Sequence, residues 1–398
     1  MRTPILSGLR IVELSAYVAA PFAGAVLAGL GAEVIRIEQV GGGIDARRWP
    51  LHNGQSLYRA GLDLGKRSVA IDLKSRRGME LAAAIITADG PDAGIFVTNV
   101  SHEQDLSYDS LRKRRSDLIM IELSGTPEGD VAVDYTVAAS LGFPLVTGPV
   151  GHEGPVNSVL PAFDLVAGLH IALAVLVAER SRSRHGFGSF VQLALSDVGI
   201  KVAEHLGFLE EARLVEAPRA RYGNAVYGTY GRDFETQDGR RLMVCALTER
   251  QWTSLVKVTG IEPEIASLSD RAGIDFADEG ERFRHRSEID DLLATWIGQR
   301  SLVEVADLFN QARLPWSPYR TFKEAFAKDS RVANPPMSAL SFPDDAREQS
   351  LEAPNLGCST GAVLEQILGL DRDEIRSLVE QRVIALGQHG DRASSEPP

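Results

Sequence analysis

Cysteine is nearly missing from this 398-residue chain. Cys245 and Cys358 lie far apart, too few for a disulfide framework or a four-ligand zinc site, and read as free thiols of a reducing compartment. A surplus of positive charge is missing as well: 42 Lys and Arg face 54 Asp and Glu, a formal net charge of -12. That balance argues against general nucleic-acid binding, which needs cations to neutralise phosphates. Long apolar runs are scarce. Ser15 to Ala32 is uncharged, but Glu13 interrupts the approach from Arg2, and Pro21 with its neighbouring glycines makes a poor signal core. Leu165 to Ala178 is short for a bilayer crossing and contains His170, so no membrane segment is expected. The eight histidines are scattered, with no HExxH and no paired His/Cys spacing, so no metal site is expected. There is no GxSxG, which removes the common serine-hydrolase signature. What remains has 44% hydrophobic and 24% charged residues. It reads as a cytoplasmic globular enzyme of two domains.

The N-terminal part alternates strands and helices. Leu9–Leu14 reads as a strand, Pro21 fits a first helical turn, Phe22–Leu30 continues the helix, and Val34–Glu38 reads as the next strand. The alternation recurs through Val69–Leu73, Gly78–Thr87, Ala93–Thr98 and Leu118–Leu123. That pattern predicts an α/β fold with an open parallel, Rossmann-like sheet. Asp164–Glu179 reads as a long helix ending before the basic run 180–184, Phe190–Leu195 as a strand and Val198–Leu214 as a helix. A hairpin is predicted in Tyr227–Arg241, with helices at Glu249–Val258, Glu288–Gly298 and Leu302–Gln311. Two more helices are expected at Gly361–Leu368 and Asp373–Arg382, and Gln388–Pro398 is expected to be disordered. The expected division is a large Rossmann-like domain, residues 1–218 and 328–398, with a smaller inserted α+β domain, residues 219–327.

The strand-to-helix turn Ser15–Gly24 lacks the GxGxxG pattern of dinucleotide sites, and Gly41-Gly-Gly43 has no P-loop lysine after it. Charge is more informative. Residues 1–80 hold eleven Lys and Arg against seven acids, +4 within a -12 chain. A solvated mixed surface explains this, as does a polyanionic small ligand. Asp164 stands in Leu160-Pro-Ala-Phe-Asp-Leu-Val-Ala-Gly-Leu169, an acid in an apolar run at a helix start. It reads either as an N-cap or as a carboxylate nucleophile supported by helix N–H groups.

Gly8-Leu-Arg-Ile-Val-Glu-Leu-Ser15, Ala20-Pro-Phe-Ala23 and Leu30-Gly-Ala-Glu-Val-Ile-Arg-Ile-Glu38 together resemble the family III CoA-transferases. So do Gly65–Lys74, Asn99, the Asp-x-x-x-Gly at Asp164 and Gly186-Phe-Gly188. The resemblance covers nearly the whole chain. It implies the two-domain α/β fold above, an interlocked homodimer, and acyl-CoA plus small carboxylic acid substrates, with CoA as a substrate moiety and no permanently bound cofactor. Asp164 matches the family's nucleophile. Asp134 matches a second acidic position; it is either a helper in the reaction or a cap of the helix that follows. With the basic excess, the resemblance implies CoA contacts at Val18, Arg47, Arg67, Ile71, Lys74 and Asn99.

Further stretches, among them Gly41–Asp45, Arg48-Trp-Pro50, Val133–Val137 and Gly231–Thr236, resemble a subgroup that moves CoA between the two carboxylates of one dicarboxylic acid. Intermolecular transfer between two acids is the alternative. A racemase is disfavoured, since Val133 stands where racemases of this superfamily place a proton-shuttling His. A non-catalytic CoA-binding protein would be marked by loss of the nucleophile. The sequence departs from the family at Gly357-Cys-Ser-Thr360, where Gly-Glu-His-Thr is common, and at Gln39, often an arginine.

Overall fold

The structure, a computed structural model, describes residues 4–90, 92–100, 104–336, 338–340 and 352–387. The expected tail at Gln388–Pro398 lies outside these residues. The large sheet is built from β1 (Arg10–Leu14), β2 (Glu33–Gln39), β3 (Arg67–Ile71), β4 (Ile95–Thr98), β5 (Ile119–Ser124) and β6 (Ser189–Ala194). All six are parallel, in the order β3-β2-β1-β4-β5-β6. A short strand, Ile384–Ala385, adds antiparallel to the β3 edge. Strands β1 to β5 are largely buried and rich in Val and Ile, as expected of a sheet covered on both faces, whereas the edge strand β6 is buried only at Ala194. The strand order reverses between β1 and β4, and ligands of open α/β sheets bind at such a switch point.

Helix α1 (Ala19–Gly29) follows β1, α2 (Arg76–Ile86) follows β3, and α3 (Asp134–Ser140) lies between β5 and β6. The long helix α4 (Ala162–His185) packs along α1. Close approach there depends on Gly168, where an added Cβ would stand 2.7 Å from the Ala19 carbonyl and 2.8 Å from the Phe22 ring. The Asp-x-x-x-Gly spacing thus sets Asp164 one turn from a tight helix crossing. Helix α4 runs beyond the expected end, through the basic residues to a left-handed Gly186. Arg182 explains the extension: its guanidinium is buried and donates to the Ala93 carbonyl at 2.7 Å. At 24 residues α4 is long and apolar enough to cross a membrane by length and composition, unlike the shorter run read from sequence. Its buried face instead packs into this layer, Ile171 and Val175 being fully enclosed.

Chain contacts divide the described molecule into two units. The first comprises 1–141, 159–214 and 336–398, and the second 142–158 and 215–335. Residues 142–158 therefore group with the second unit, where the sequence reading had put them in the first. That second unit has its own three-stranded antiparallel sheet, with Arg241–Ala246 between Tyr230–Glu235 and Trp316–Pro318. Helices Glu249–Thr259, Arg286–Gly298 and Leu302–Gln311 match the expected ones; Glu262–Ala272 and Glu279–Arg284 are additional. The sequence reading gave Val198–Leu214 as one helix, but it is two, Leu195–His205 and Phe208–Leu214, parted by a left-handed Gly207.

Candidate active site

At the switch point a cavity of about 760 Å³ opens within the first unit. Its walls come from the loop after β1 (Tyr17, Val18), Arg48, Tyr58, the segment 122–135 and the start of α4. Asp164 and Asp134 both face it.

Asp164 is the third residue of α4, not its N-cap. Pro161 holds the N-cap position and supplies no side-chain acceptor. The acceptor comes from another helix: Asp134 Oδ2 receives the backbone N–H of Phe163 at 2.7 Å and of Asp164 at 3.1 Å. Asp134 begins α3, yet its carboxylate does not cap α3, whose entry is tied by Thr136 Oγ1 accepting the Val133 N–H at 3.0 Å. The helix that Asp134 caps is the one carrying Asp164. This frees the Asp164 carboxylate for the cavity.

Burial pushes the Asp164 carboxyl up to about 6; the nearby Asp134 carboxylate adds to the rise and Arg48 opposes it. Asp134 is raised too, by burial, with the two backbone N–H bonds pulling it down. Arg48 lies over the Tyr58 ring at 4.4 Å and the Tyr17 ring at 5.6 Å, a cation–π arrangement that orients the guanidinium.

The loop preceding α1 is held from three sides. Asn99 Oδ1 accepts the Ala16 N–H at 2.9 Å and Asn99 Nδ2 donates to the Ala16 carbonyl at 2.7 Å. Asp45 Oδ1 accepts the Tyr17 N–H at 3.1 Å, fixing a non-glycine residue at φ 67°. Arg36 reaches the Ser15 carbonyl at 3.3 Å. Such strained backbone persists where its surroundings over-determine it, and it concentrates at functional sites.

Behind the loop lies a buried ion network that the sequence did not reveal. Lys66 Nζ meets Glu13 at 2.9 Å, Arg36 meets Asp45 at 2.8 Å and also Asp63, and Arg59 meets Glu38 at 2.7 Å. Burial opposes the Arg36 charge, but Asp63, Glu13 and Glu38 outweigh it and raise its pKa. Gly24 leaves room for the network, since a Cβ there would stand 1.9 Å from Glu13 Oε2. Much of the N-terminal basic excess is consumed here.

The expected CoA contacts are dispersed. Val18 and Asn99 line the cavity, and both polar atoms of Asn99 already hold Ala16. Ile71 ends β3 with its side chain fully buried in the core, Lys74 follows it exposed, and Arg47 is exposed beside Arg48. Arg67 lies apart from these. It opens β3, at the end of the sheet opposite the cavity, and is taken up by Glu33 and, at 2.9 Å, by Gln366. Of the departures, Gly357 N–H donates to Ser68 at 2.8 Å and Thr360 Oγ1 accepts the Ala70 N–H at 3.0 Å. The Gly-Cys-Ser-Thr segment thus braces the edge strand. Among the described residues no three His, Cys, Asp or Glu side chains are grouped to hold a metal ion.

A parallel sheet with its cavity at the switch point, and a partly buried carboxyl near the head of the helix beside it, fit an α/β enzyme built for carboxylate chemistry. The chain belongs to CoA-transferase family III, whose family model matches residues 6–358. It is 46% identical to 2-methylfumaryl-CoA isomerase of Chloroflexus aurantiacus, across 96% of this chain and 98% of that protein. It is 27% identical to succinyl-CoA–D-citramalate CoA-transferase of the same organism, across 95% and 98%. In fold it is similar to a CAIB/BAIF family protein from Brucella suis, with a TM-score of 0.75 and 22% identity over 92% of this chain and 100% of that one.

Proposed function

We propose that this enzyme moves CoA from one carboxylate of 2-methylfumarate (mesaconate) to the other, converting 2-methylfumaryl-CoA to 3-methylfumaryl-CoA while the acid stays bound. The observation that carries the reading is the 46% identity to an isomerase of that name along nearly the whole of both chains. The geometry supports it with a carboxyl suited to nucleophilic attack. Raised to about 6, Asp164 is ionised at neutral pH yet more basic than an ordinary carboxylate.

Asp164 attacks the thioester carbonyl, forming a mixed anhydride and expelling CoA thiolate. The thiolate attacks the aspartyl carbonyl, giving an aspartyl-CoA thioester and the free diacid. The other carboxylate of the diacid attacks that thioester, forming a second anhydride and again releasing thiolate. Thiolate then attacks the new acyl carbon, and Asp164 returns as a carboxylate. No water enters and no redox change occurs. Asp134 acts as a positioning residue, holding the head of α4. Val133, beside it in the cavity wall, offers no proton acceptor for racemisation.

CoA runs along the C-terminal edge of the sheet, past Val18, the backbone at Ile71, Lys74 and Arg47, with Asn99 holding the loop that the thioester crosses. The enzyme works as a cytoplasmic homodimer. Leu169, Leu173 and Val177, half or more exposed, form an i, i+4, i+8 apolar stripe on α4 that a second copy would cover. The test uses 2-methylfumaryl-CoA with a large excess of isotopically labelled free mesaconate. Little label in the isomer supports retention of the acid; full isotopic mixing leaves intermolecular CoA transfer and removes the isomerase reading.

A further inference from the structure

Arg48 is the sole Lys or Arg among the described residues lining the cavity, against five carboxylates: Glu122, Glu128, Asp130, Asp134 and Asp164. Arg47, beside it, is exposed and does not line the cavity. Arg36, Arg59 and Lys66 are buried against acids. Among the described residues, the Arg48 guanidinium has no carboxylate within ion-pair distance and donates no hydrogen bond, the residue's backbone N–H alone donating, to the Asp45 carbonyl at 3.3 Å; the guanidinium lies over the faces of Tyr17 and Tyr58. Those rings fix the plane of the guanidinium while its N–H edge stays available. A diacid bound through one end at Asp164 brings a second negative charge into a cavity already rich in acids. It requires a counter-charge, and a guanidinium meets a carboxylate with two parallel hydrogen bonds.

We propose that Arg48 holds whichever carboxylate of the bound diacid is not reacting at Asp164, and so selects dicarboxylic acyl groups and retains the free diacid between the two halves of the transfer. This rests on the isomerase reading above. When CoA sits on Asp164, the diacid has no covalent tie to the protein. An Arg48 contact keeps it in place while its ends exchange, first one and then the other facing the aspartyl thioester.

The test compares 2-methylfumaryl-CoA with tiglyl-CoA, in which a methyl group replaces the free carboxylate on the same carbon skeleton. The readout is kcat/KM for acylation of Asp164, followed by CoA release, in wild type, Arg48→Gln and Arg48→Lys. Any effect of Arg48 on the nucleophile itself touches both substrates and cancels in their ratio. Loss of a charge-assisted contact lowers the diacyl-to-monoacyl ratio by about 10–100-fold in Arg48→Gln, and Arg48→Lys recovers part of it. A ratio unchanged within about twofold overturns the proposal, whatever happens to the separate rates. So does a tenfold loss of affinity for free CoA in Arg48→Gln, which would place Arg48 on the CoA phosphates. If wild type acylates Asp164 but forms no isomer, the isomerase reading fails, while the ratio still reports on Arg48.

Discussion

The Asp134 carboxylate receives the backbone N–H of Asp164 at 3.1 Å, so one acid caps the helix on which the other stands. The same contact couples their charges, since Asp134 helps push Asp164 up. One side chain thereby holds the helix head and adds to the rise in carboxyl basicity that burial begins.

Substitution at Asp134 separates these two effects. Asp134→Asn keeps an oxygen that can accept the N–H groups but removes the charge, so stability holds while Asp164 titrates lower. Asp134→Ala loses the cap as well and costs about 1 kcal/mol. Urea denaturation measures the stability, and the pH dependence of acylation measures the titration.

Acylation should follow ionisation of Asp164. Single-turnover CoA release is expected to fall about tenfold per pH unit below the carboxyl's value of about 6. In Asp134→Asn the acid limb moves to lower pH. An acid limb that stays put would show that Asp134 does not set the basicity of Asp164.

Asp164 also costs stability at working pH. A carboxyl raised on folding from 3.8 to about 6 favours the folded state below pH 3.8. That contribution is lost as pH rises through about 6. Asp164→Asn is therefore expected to be more stable than wild type at pH 8, by roughly 1–2 kcal/mol after solvent screening. The difference should close as pH falls through this window. Thermal unfolding at pH 5 and pH 8 checks both sign and window.

Lys66→Met removes the cation bonded to Glu13 at 2.9 Å and leaves a buried carboxylate short of a partner. Breaking such a pair costs about 3–5 kcal/mol. Because Arg36, which shares this network, also holds Asp45 and the Ser15 carbonyl, the Tyr17 loop should loosen and KM for acyl-CoA rise. Equilibrium unfolding and steady-state kinetics test the two effects separately.

The β-α-β alternation and the special character of Asp164 were legible in the sequence, because both are local: a period of apolar residues, and an acid set in an apolar run. Charge counting misled, since Arg36, Arg59 and Lys66 look like surface cations until folding places them against Glu13, Glu38, Asp45 and Asp63. The hydrogen bonds by which Asn99 holds Ala16 span 83 residues of chain, and no spacing rule reveals them. Arg48 drew notice only as part of a family-like stretch. Its distinction is being the one cation among the described residues that faces a cavity of acids, a property of the assembled walls.

The most direct measurement quenches the enzyme during turnover of 2-methylfumaryl-CoA with hydroxylamine and maps the modified peptide by mass. An aspartyl hydroxamate is expected at Asp164, formed only with substrate present, and no turnover by Asp164→Asn. Hydroxamate at another residue, or near-normal turnover by a folded Asp164→Asn enzyme, would contradict it.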